Sequence, residues 1–413
     1  MSSYMKRNIE VEFLKASKEY PALLLTGPRQ TGKTTMLTKL METKQARRRE
    51  RTYVSLDDHD ALTLARGDPV LFFQTYKPPI LIDEIQYAPN LFAGIKRLID
   101  KGAEPGDFWM TGSQLFKMMR GIQESLAGRT AVFHLSPLSQ QEIYPLFKPG
   151  FFMPDYKILL ARQKTAVPLN AAVIFERIFQ GSMPALVSGK FSDHKLYYSS
   201  YIQTYLERDI RDLAAGIDFF KFMDFIRSAA ARTAQLVNYR HIGEDASINQ
   251  ETAKNWLQLL ETLGIIFFIR PYHHNTLKRM IKTPKLYFYD TGLAAYLTRW
   301  NSPETLMNGA MNGAILENYV ISEILKSHEN TGEHGLFFYR DHDGKEIDLL
   351  LESDGLLHPV EIKKTASPVK SMISSFATLE KPPFKRGPGA LICLSEQLSA
   401  FDSQNYIVPI GLL

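Results

Sequence analysis

The residues whose types and spacing suit chemistry fall in three places along this 413-residue chain. The first is GPRQTGKTT. Gly27 and Gly32 free the backbone to turn, so that its N–H groups converge on phosphate oxygens at a helix N-terminus. Lys33 would reach the outer phosphates of a nucleotide and Thr34 would ligate Mg²⁺. The whole loop, Gly27, Pro28, Arg29, Gln30, Thr31, Gly32, Lys33, Thr34 and Thr35, is the expected nucleotide-binding set. The second place is Asp83-Glu84 in PPILIDEIQYAP. Asp83 is suited to hold the Mg²⁺ through water, and Glu84 to polarise an attacking water. The third is Asp348 followed by Glu361-Ile362-Lys363, with Glu317 before them. Asp348 and Glu361 could bind one or two Mg²⁺ ions that activate water, and Lys363 could offset phosphate charge or orient that water.

The first two places need a parallel sheet behind them. Ala22 to Leu25 reads as a strand leading into the loop, and a helical pattern follows it, which is the context such a loop requires. Ile80, Leu81 and Ile82 read as a buried parallel strand, whose C-terminal end turns Asp83 and Glu84 into the ligand crevice. A third strand, DFWMTGSQ, ends in Thr111, Gly112 and Ser113. The Ser113 hydroxyl there could sense the γ-phosphate or orient water. Arg129 stands just before a further strand. It could neutralise transition-state charge, in cis or from a neighbouring subunit, or be a surface residue in a turn.

GPRQTGKTT, YVSLDDHDALTLARGDPVLFF, LIDEIQ, TGSQ and SLAGR follow one another in this chain. The series resembles a family of bacterial and archaeal AAA+-type ATPases in which the ATPase is followed by a domain of unassigned function, DUF4143. The resemblance covers nearly the whole chain. It implies an α/β fold with a RecA-like αβα P-loop core, a helical lid, and ATP and Mg²⁺ as cofactors. It does not give a cellular role.

In the middle of the chain, FKPGFFMPDY reads as a linker, and QGSMPALV resembles a loop motif of the same family. YYSSYIQTYLERDIRDLAA reads as a helix whose Glu207, Arg208, Asp209, Arg211 and Asp212 form i,i+3 and i,i+4 pairs on a solvated face. Residues 235–272 hold two helices, a stop at Gly264 and a strand. With KLYFYD as a second strand, the order is that of a winged helix-turn-helix. Its second helix opens with Asn249, Gln250, Glu251, Thr252, Lys254 and Asn255. Lys278, Arg279, Lys282 and Lys285 form a basic wing. DNA is the expected partner of this element; the other reading is a lid or a protein contact.

In the last segment, AILENYVISEILK reads as an amphipathic helix with Glu317 on the apolar side, between Ile321 and Ile324. A carboxylate there needs a partner, a metal or a solvated pocket. Asp343-Gly344 makes a hairpin turn between LFFYR and EIDLLLE, and LLHPVEIKK follows. Period-2 alternation puts Glu361 and Lys363 on one face. This arrangement resembles the PD-(D/E)xK, restriction-endonuclease-like fold, with Ile347 where the family usually has proline. GALICLSEQ and NYIVPIGLL complete the sheet.

Three domains are therefore expected: an ATPase core over 1–150, a lid and winged helix over 151–300, and a nuclease-like domain over 301–413. Hydrophobic residues at 45% and charged residues at 23% argue against extensive disorder. A formal charge of +5 permits an anionic partner without demanding one. The single cysteine, Cys393, excludes an intrachain disulfide, and no Cys/His cluster has zinc-finger spacing. No apolar run approaches the roughly 20 residues a bilayer requires, so a cytoplasmic protein with no membrane association is expected. A homo-oligomer is required if Arg129 acts in trans. KQARRRER, residues 44–51, reads as a solvated helix end. The combined reading is an ATP-hydrolysing, DNA-associated protein that couples nucleotide state to a metal-dependent nuclease-like domain. The alternative is an ATP-dependent switch or binding module whose nuclease-like domain is a non-cleaving interaction platform.

Overall fold

The computed structural model describes residues 4–43, 50–113, 118, 122, 125–144, 150–213, 216–273, 283–329, 335–341, 344–380 and 383–413. They divide into two compact units: the chain up to Pro137 together with Thr262–Gly264, and Leu138–Glu261 together with Ile265–Leu413.

The first unit is built on five parallel strands: β1 (Ala22–Thr26), β2 (Thr52–Ser55), β3 (Ile80–Asp83), β4 (Phe108–Gly112) and β5 (Thr130–His134), ordered β2-β3-β4-β1-β5. The three inner strands are buried along their whole length, as continuous apolar runs covered on both faces must be. Alternation sorts their side chains. Leu24, Ile82 and Met110 pack with Phe72, Phe92 and Ile95 on one face. Leu23, Leu25, Leu81 and Trp109 pack with Phe13, Met36 and Leu37 on the other. The result is a three-layered αβα unit, with the ends of β1, β3 and β4 aligned in register at one edge.

The second unit holds an eight-stranded sheet. Its strands are β6 (Ile266–Pro271), β7 (Lys285–Phe288), β8 (Gly335–Arg340), β9 (Glu346–Ser353), β10 (Leu356–Lys363), β11 (Gly389–Cys393), β12 (Ser399–Asp402) and β13 (Asn405–Pro409). The order is β12-β13-β11-β10-β9-β8-β6-β7. The tail strands β11 and β13 do extend the sheet, running parallel beyond β10. The helix Asn312–His328 packs on β10 and β7.

The compact units group the segments expected over 1–150, 151–300 and 301–413 into two bodies. The first unit runs to Pro137 and takes in Thr262–Gly264 besides. Segments on either side of residue 300 share one sheet, because β6 pairs with β8 through Arg270↔Phe337 and Pro271↔Phe338. Asn318 ties them further. Wholly buried in its helix, it accepts from the Phe288 N–H and donates to the Phe288 carbonyl, both at 2.8 Å, as a neighbouring strand would.

Candidate functional site

At the exit of β1 the backbone geometry is one that glycine alone accommodates. Gly27 has φ 140°, and a Cβ there would lie 2.3 Å from the Leu135 carbonyl oxygen. Gly32, at φ 89°, starts the helix Lys33–Met41. The first-turn N–H groups of that helix have no upstream helical carbonyl and mark the positive end of its dipole. Lys33 is buried, its ammonium donating to the Gly27 carbonyl at 2.9 Å and the Pro28 carbonyl at 2.7 Å. The Thr31 hydroxyl donates to the Pro28 carbonyl at 2.9 Å. Buried Arg7 braces the loop from outside, donating to the Thr31 carbonyl at 2.8 Å and the Ser136 carbonyl at 2.7 Å. Arg29 donates to the Tyr87 hydroxyl at 3.3 Å, Gln30 takes a left-handed φ of 62°, and Thr35 is exposed. A glycine-shaped loop, a helix N-terminus and a lysine held above them fit the phosphates of a nucleotide.

Beside this loop the Thr34 hydroxyl donates to Asp83 Oδ1 at 2.7 Å, and the Thr111 hydroxyl donates to the same oxygen. The Tyr53 hydroxyl donates to Asp83 Oδ2 at 3.3 Å. Burial and then Asp83 push the Tyr53 phenol up from its ordinary value. Hydroxyl and carboxylate oxygens meeting at the helix N-terminus are the hard donor set that suits Mg²⁺. Glu84 has a left-handed φ of 58°. The Gln86 amide donates to the Glu84 carboxylate and also to the Ser113 hydroxyl, the latter at 3.4 Å. Arg129 lies elsewhere. It precedes Thr130, which aligns with Ala22 at the start of β1, and its guanidinium pairs with Asp100 at 2.6 Å. In a parallel sheet, a residue just before a strand sits at the edge opposite a loop that follows one. Arg129 is therefore not placed to act on this loop in cis.

A second cluster gathers in the other unit, at the ends of β9 and β10. The last cross-strand pair is Val360↔Leu349. One step beyond it Asp348 and Glu361 face each other, and Asp348 Oδ2 accepts the Ile362 N–H at 2.9 Å. The Lys363 ammonium lies 2.6 Å from Glu361 Oε1 and 3.5 Å from Asp348 Oδ2. Glu361 Oε2 is buried and has no hydrogen-bond partner, an orphaned acceptor of the kind a cation satisfies. Burial, and then Asp348, pushes the Glu361 carboxyl up to about 8 against the pull of Lys363. Glu317 reaches the same region from its helix. Its Oε1 accepts from Lys285 at 3.1 Å and from the Tyr287 hydroxyl at 2.8 Å. Burial, and then Asp348, raises the Glu317 carboxyl to about 7. Lys285 also meets Glu346 Oε1 at 2.5 Å. Among the described residues, no three His, Cys, Asp or Glu side chains converge closely enough to hold a metal ion. What remains is a two-carboxylate seat, Asp348 and Glu361, with an ammonium at its side.

Residues 19–144 match the model of an AAA domain. Residues 312–413 match a domain of unknown function, DUF4143, and residues 172–304 match another, DUF8612. This chain joins an AAA domain to a DUF4143 domain. Among curated proteins it is similar to the uncharacterized protein Rv2008c of Mycobacterium tuberculosis. The two are 28% identical over 377 residues, 91% of this chain and 78% of that protein, and Mb2031c of Mycobacterium bovis gives the same figures. Among solved structures, AMPPCP-bound DnaA from Aquifex aeolicus aligns with a TM-score of 0.32 at 13% identity, over 61% of this chain and 86% of that one. The crystal structure of VC1899 from Vibrio cholerae aligns with a TM-score of 0.18 at 10% identity, over 91% and 89%.

In the AAA domain the structure brings Lys33, Thr34, Asp83, Glu84 and Ser113 to the loop edge of the sheet and leaves Arg129 at the other. Arg7, Tyr53 and Gln86 also join the site; Tyr53 and Gln86 lie within the stretches YVSLDDHDALTLARGDPVLFF and LIDEIQ, though with no role read for them, and nothing in the sequence singles out Arg7. The basic run 44–51 lies outside the described residues except for Glu50 and Arg51. In the DUF4143 domain, Asp348, Glu361 and Lys363 come together and Glu317 approaches them through Lys285. Lys285, expected on an exposed wing, is instead a buried residue of β7. The other wing residues, Lys278, Arg279 and Lys282, lie outside the described residues, as does Asp343.

The family-like loop QGSMP has a structural task. Its Ser182 donates through backbone N–H and hydroxyl to buried Asp290, at 2.7 and 3.1 Å, and Tyr198 donates to the same carboxylate at 2.6 Å. Among the charges of the helix Glu207–Leu213, Glu207 and Arg211 pair at 2.5 Å across one turn, while the side chains of Asp209 and Asp212 are outside the described set. No helix among the described residues is long and apolar enough to cross a membrane.

Proposed function

We propose that this protein binds and hydrolyses ATP with Mg²⁺ at the loop Gly27–Thr35, and that it acts on DNA. The observation that carries the ATPase is the Thr34–Asp83 contact of 2.7 Å beside a loop shaped by Gly27 and Gly32. Lys33 would hold the outer phosphates, Thr34 and Asp83 the Mg²⁺, and Glu84 would orient the attacking water. Bound Mg²⁺ would supply charge neutralisation on the phosphates. Replacing Lys33 by Ala tests this directly. Fluorescent-nucleotide binding and turnover should both collapse, and unchanged turnover would remove Lys33 from the site.

The DNA reading rests on element order. A helix Phe219–Ala231, a bridge at Leu236↔Lys285, helices Tyr239–Asp245 and Gln250–Thr262, and the antiparallel pair β6–β7 follow one another as in a winged helix. Gln250, Glu251, Lys254 and Asn255 are exposed on the third helix, where base or phosphate contacts would fall. Asn249 serves that helix as a cap, accepting the Thr252 N–H at 2.7 Å. The meeting of Asp348, Glu361 and Lys363 supports a nuclease-like reading of the DUF4143 domain. A divalent cation on the two carboxylates would activate water, with Lys363 orienting it or offsetting phosphate charge. Plasmid and single-stranded DNA should be cut with Mg²⁺ or Mn²⁺ by wild type and not by Asp348→Ala. The absence of any three-ligand cluster among the described residues favours a second reading: the domain is a platform that binds without cutting, and ATP hydrolysis switches it. In that case neither protein cuts DNA, while ATP turnover persists in both.

A further inference from the structure

Lys285 is the residue of the DUF4143-side cluster that the nuclease reading does not use. It is 4% exposed. Its ammonium lies 3.1 Å from Glu317 Oε1 and 2.5 Å from Glu346 Oε1, and 5.6 Å from the Phe338 ring centroid. Glu346 and Asp348 are two apart on β9 and share a face, so this ammonium stands among the very acids a metal centre would draw on. Tyr287, two residues on along β7, adds its hydroxyl to Glu317 at 2.8 Å. Glu317 Oε1 thus already takes two donors, whereas Glu361 Oε2 takes none. Among the described residues, Glu317, Glu346, Asp348 and Glu361 are answered from within by Lys285 and Lys363, with Arg340 3.8 Å from Glu346 at the rim. The deficit with every carboxylate ionised is two charges.

We infer that Lys285 is a built-in cation, so that the cluster accepts one divalent metal ion, through Asp348 and Glu361, while Glu317 and Glu346 hold the lysine and do not ligate. The inference rests on the cation-binding reading of this cluster and deepens it. A buried ammonium bonded to two carboxylates stays in place, because leaving it unpaired would cost several kcal/mol. A second cation would have to expel it.

The test is Mn²⁺ binding to nucleotide-free full-length protein, followed by electron paramagnetic resonance. Wild type should bind one ion at the cluster, and Glu361→Gln should lose it. Glu317→Gln should keep that ion, weakened by no more than the roughly tenfold to hundredfold that losing a neighbour outside the ligand set costs, where Glu361→Gln loses it. Lys285→Arg should match wild type. Lys285→Met should gain a second ion, or bind the first at least about tenfold tighter, because a like charge has been removed from a low-dielectric site. If Glu317→Gln weakens binding as Glu361→Gln does, Glu317 is a ligand and the inference about Lys285 fails while the cation reading stands. Two ions in wild type that Glu361→Gln removes together would have the same meaning. If Glu361→Gln changes nothing, the cation reading itself fails.

Discussion

The Thr34 hydroxyl donates to Asp83 Oδ1 at 2.7 Å across 49 residues of sequence. The contact joins the first turn of the helix after β1 to the last residue of β3, two strands that do not pair with each other. β4 lies between them and contributes Thr111 to the same carboxylate. With Tyr53 on the other oxygen, three hydroxyls converge on one aspartate.

Substituting Thr34 by Val should leave the strand core intact and remove one oxygen from this set. A charge-assisted contact is worth about 1.5–3 kcal/mol. Half-maximal turnover should therefore require roughly tenfold to a hundredfold more Mg²⁺. A Mg²⁺ titration of ATPase activity measures this, and an unshifted midpoint would take Thr34 out of the metal shell.

Gly27→Ala meets two obstacles: a φ of 140° and the Leu135 carbonyl 2.3 Å from the new methyl group. Backbone held in such a region costs a side-chain-bearing residue about 1–3 kcal/mol. Chemical denaturation followed in the AAA domain should register at least that loss. A variant as stable as wild type would mean that the loop moves freely away from Leu135.

Asn318→Ala should weaken the other unit. It strips the Phe288 N–H and carbonyl of their partners in a fully buried place. Unsatisfied buried groups cost about 1–3 kcal/mol each, so a loss of about 2–6 kcal/mol is expected. Denaturant midpoints compared at equal slope would show it.

Glu361 carries the pH prediction. Its carboxyl is raised from an ordinary 4.5 to about 8, by burial and then by Asp348. A folded value above the unfolded one means that the folded chain keeps a proton the unfolded chain has released. This contribution to stability is complete below the unfolded value and is lost as pH rises through about 8. Glu361→Gln has no such proton to lose. Its melting temperature should gain on that of wild type as pH climbs across this window, and a gap that stays constant with pH would contradict the assignment.

How far the sequence discloses all this depends on how local each feature is. Gly27 to Thr34 is a contiguous string whose spacing encodes its own turn, so it is legible from the residues alone. Asp348, Glu361 and Lys363 are nearly so, because a short antiparallel pair with period 2 leaves little choice of face. The place of Arg129 turns on which edge of the sheet it occupies, and the residues around it do not state that. Lys285 is disguised because it ends a basic run with Lys278, Arg279 and Lys282. Every residue of β7 is buried, so no alternation in the sequence separates it from them. Glu317 announces its need for a partner, but the answer lies 32 residues away on a strand, where no local pattern points.

The clasp between Asn318 and Phe288, and the pairing of β6 with β8, bear on where the chain can be divided. The two sequence families meet between residues 304 and 312, yet hydrogen bonds run across that seam. A chain stopped at 304 would strand Lys285 among groups that no longer include Glu317 or Glu346, and would leave β6 with one bare edge. A chain begun at 312 would keep the acids without the ammonium that settles them. Either piece set beside a foreign neighbour would lose the partners that balance its charge. The two segments therefore fold as one body, whereas the AAA domain has a core of its own.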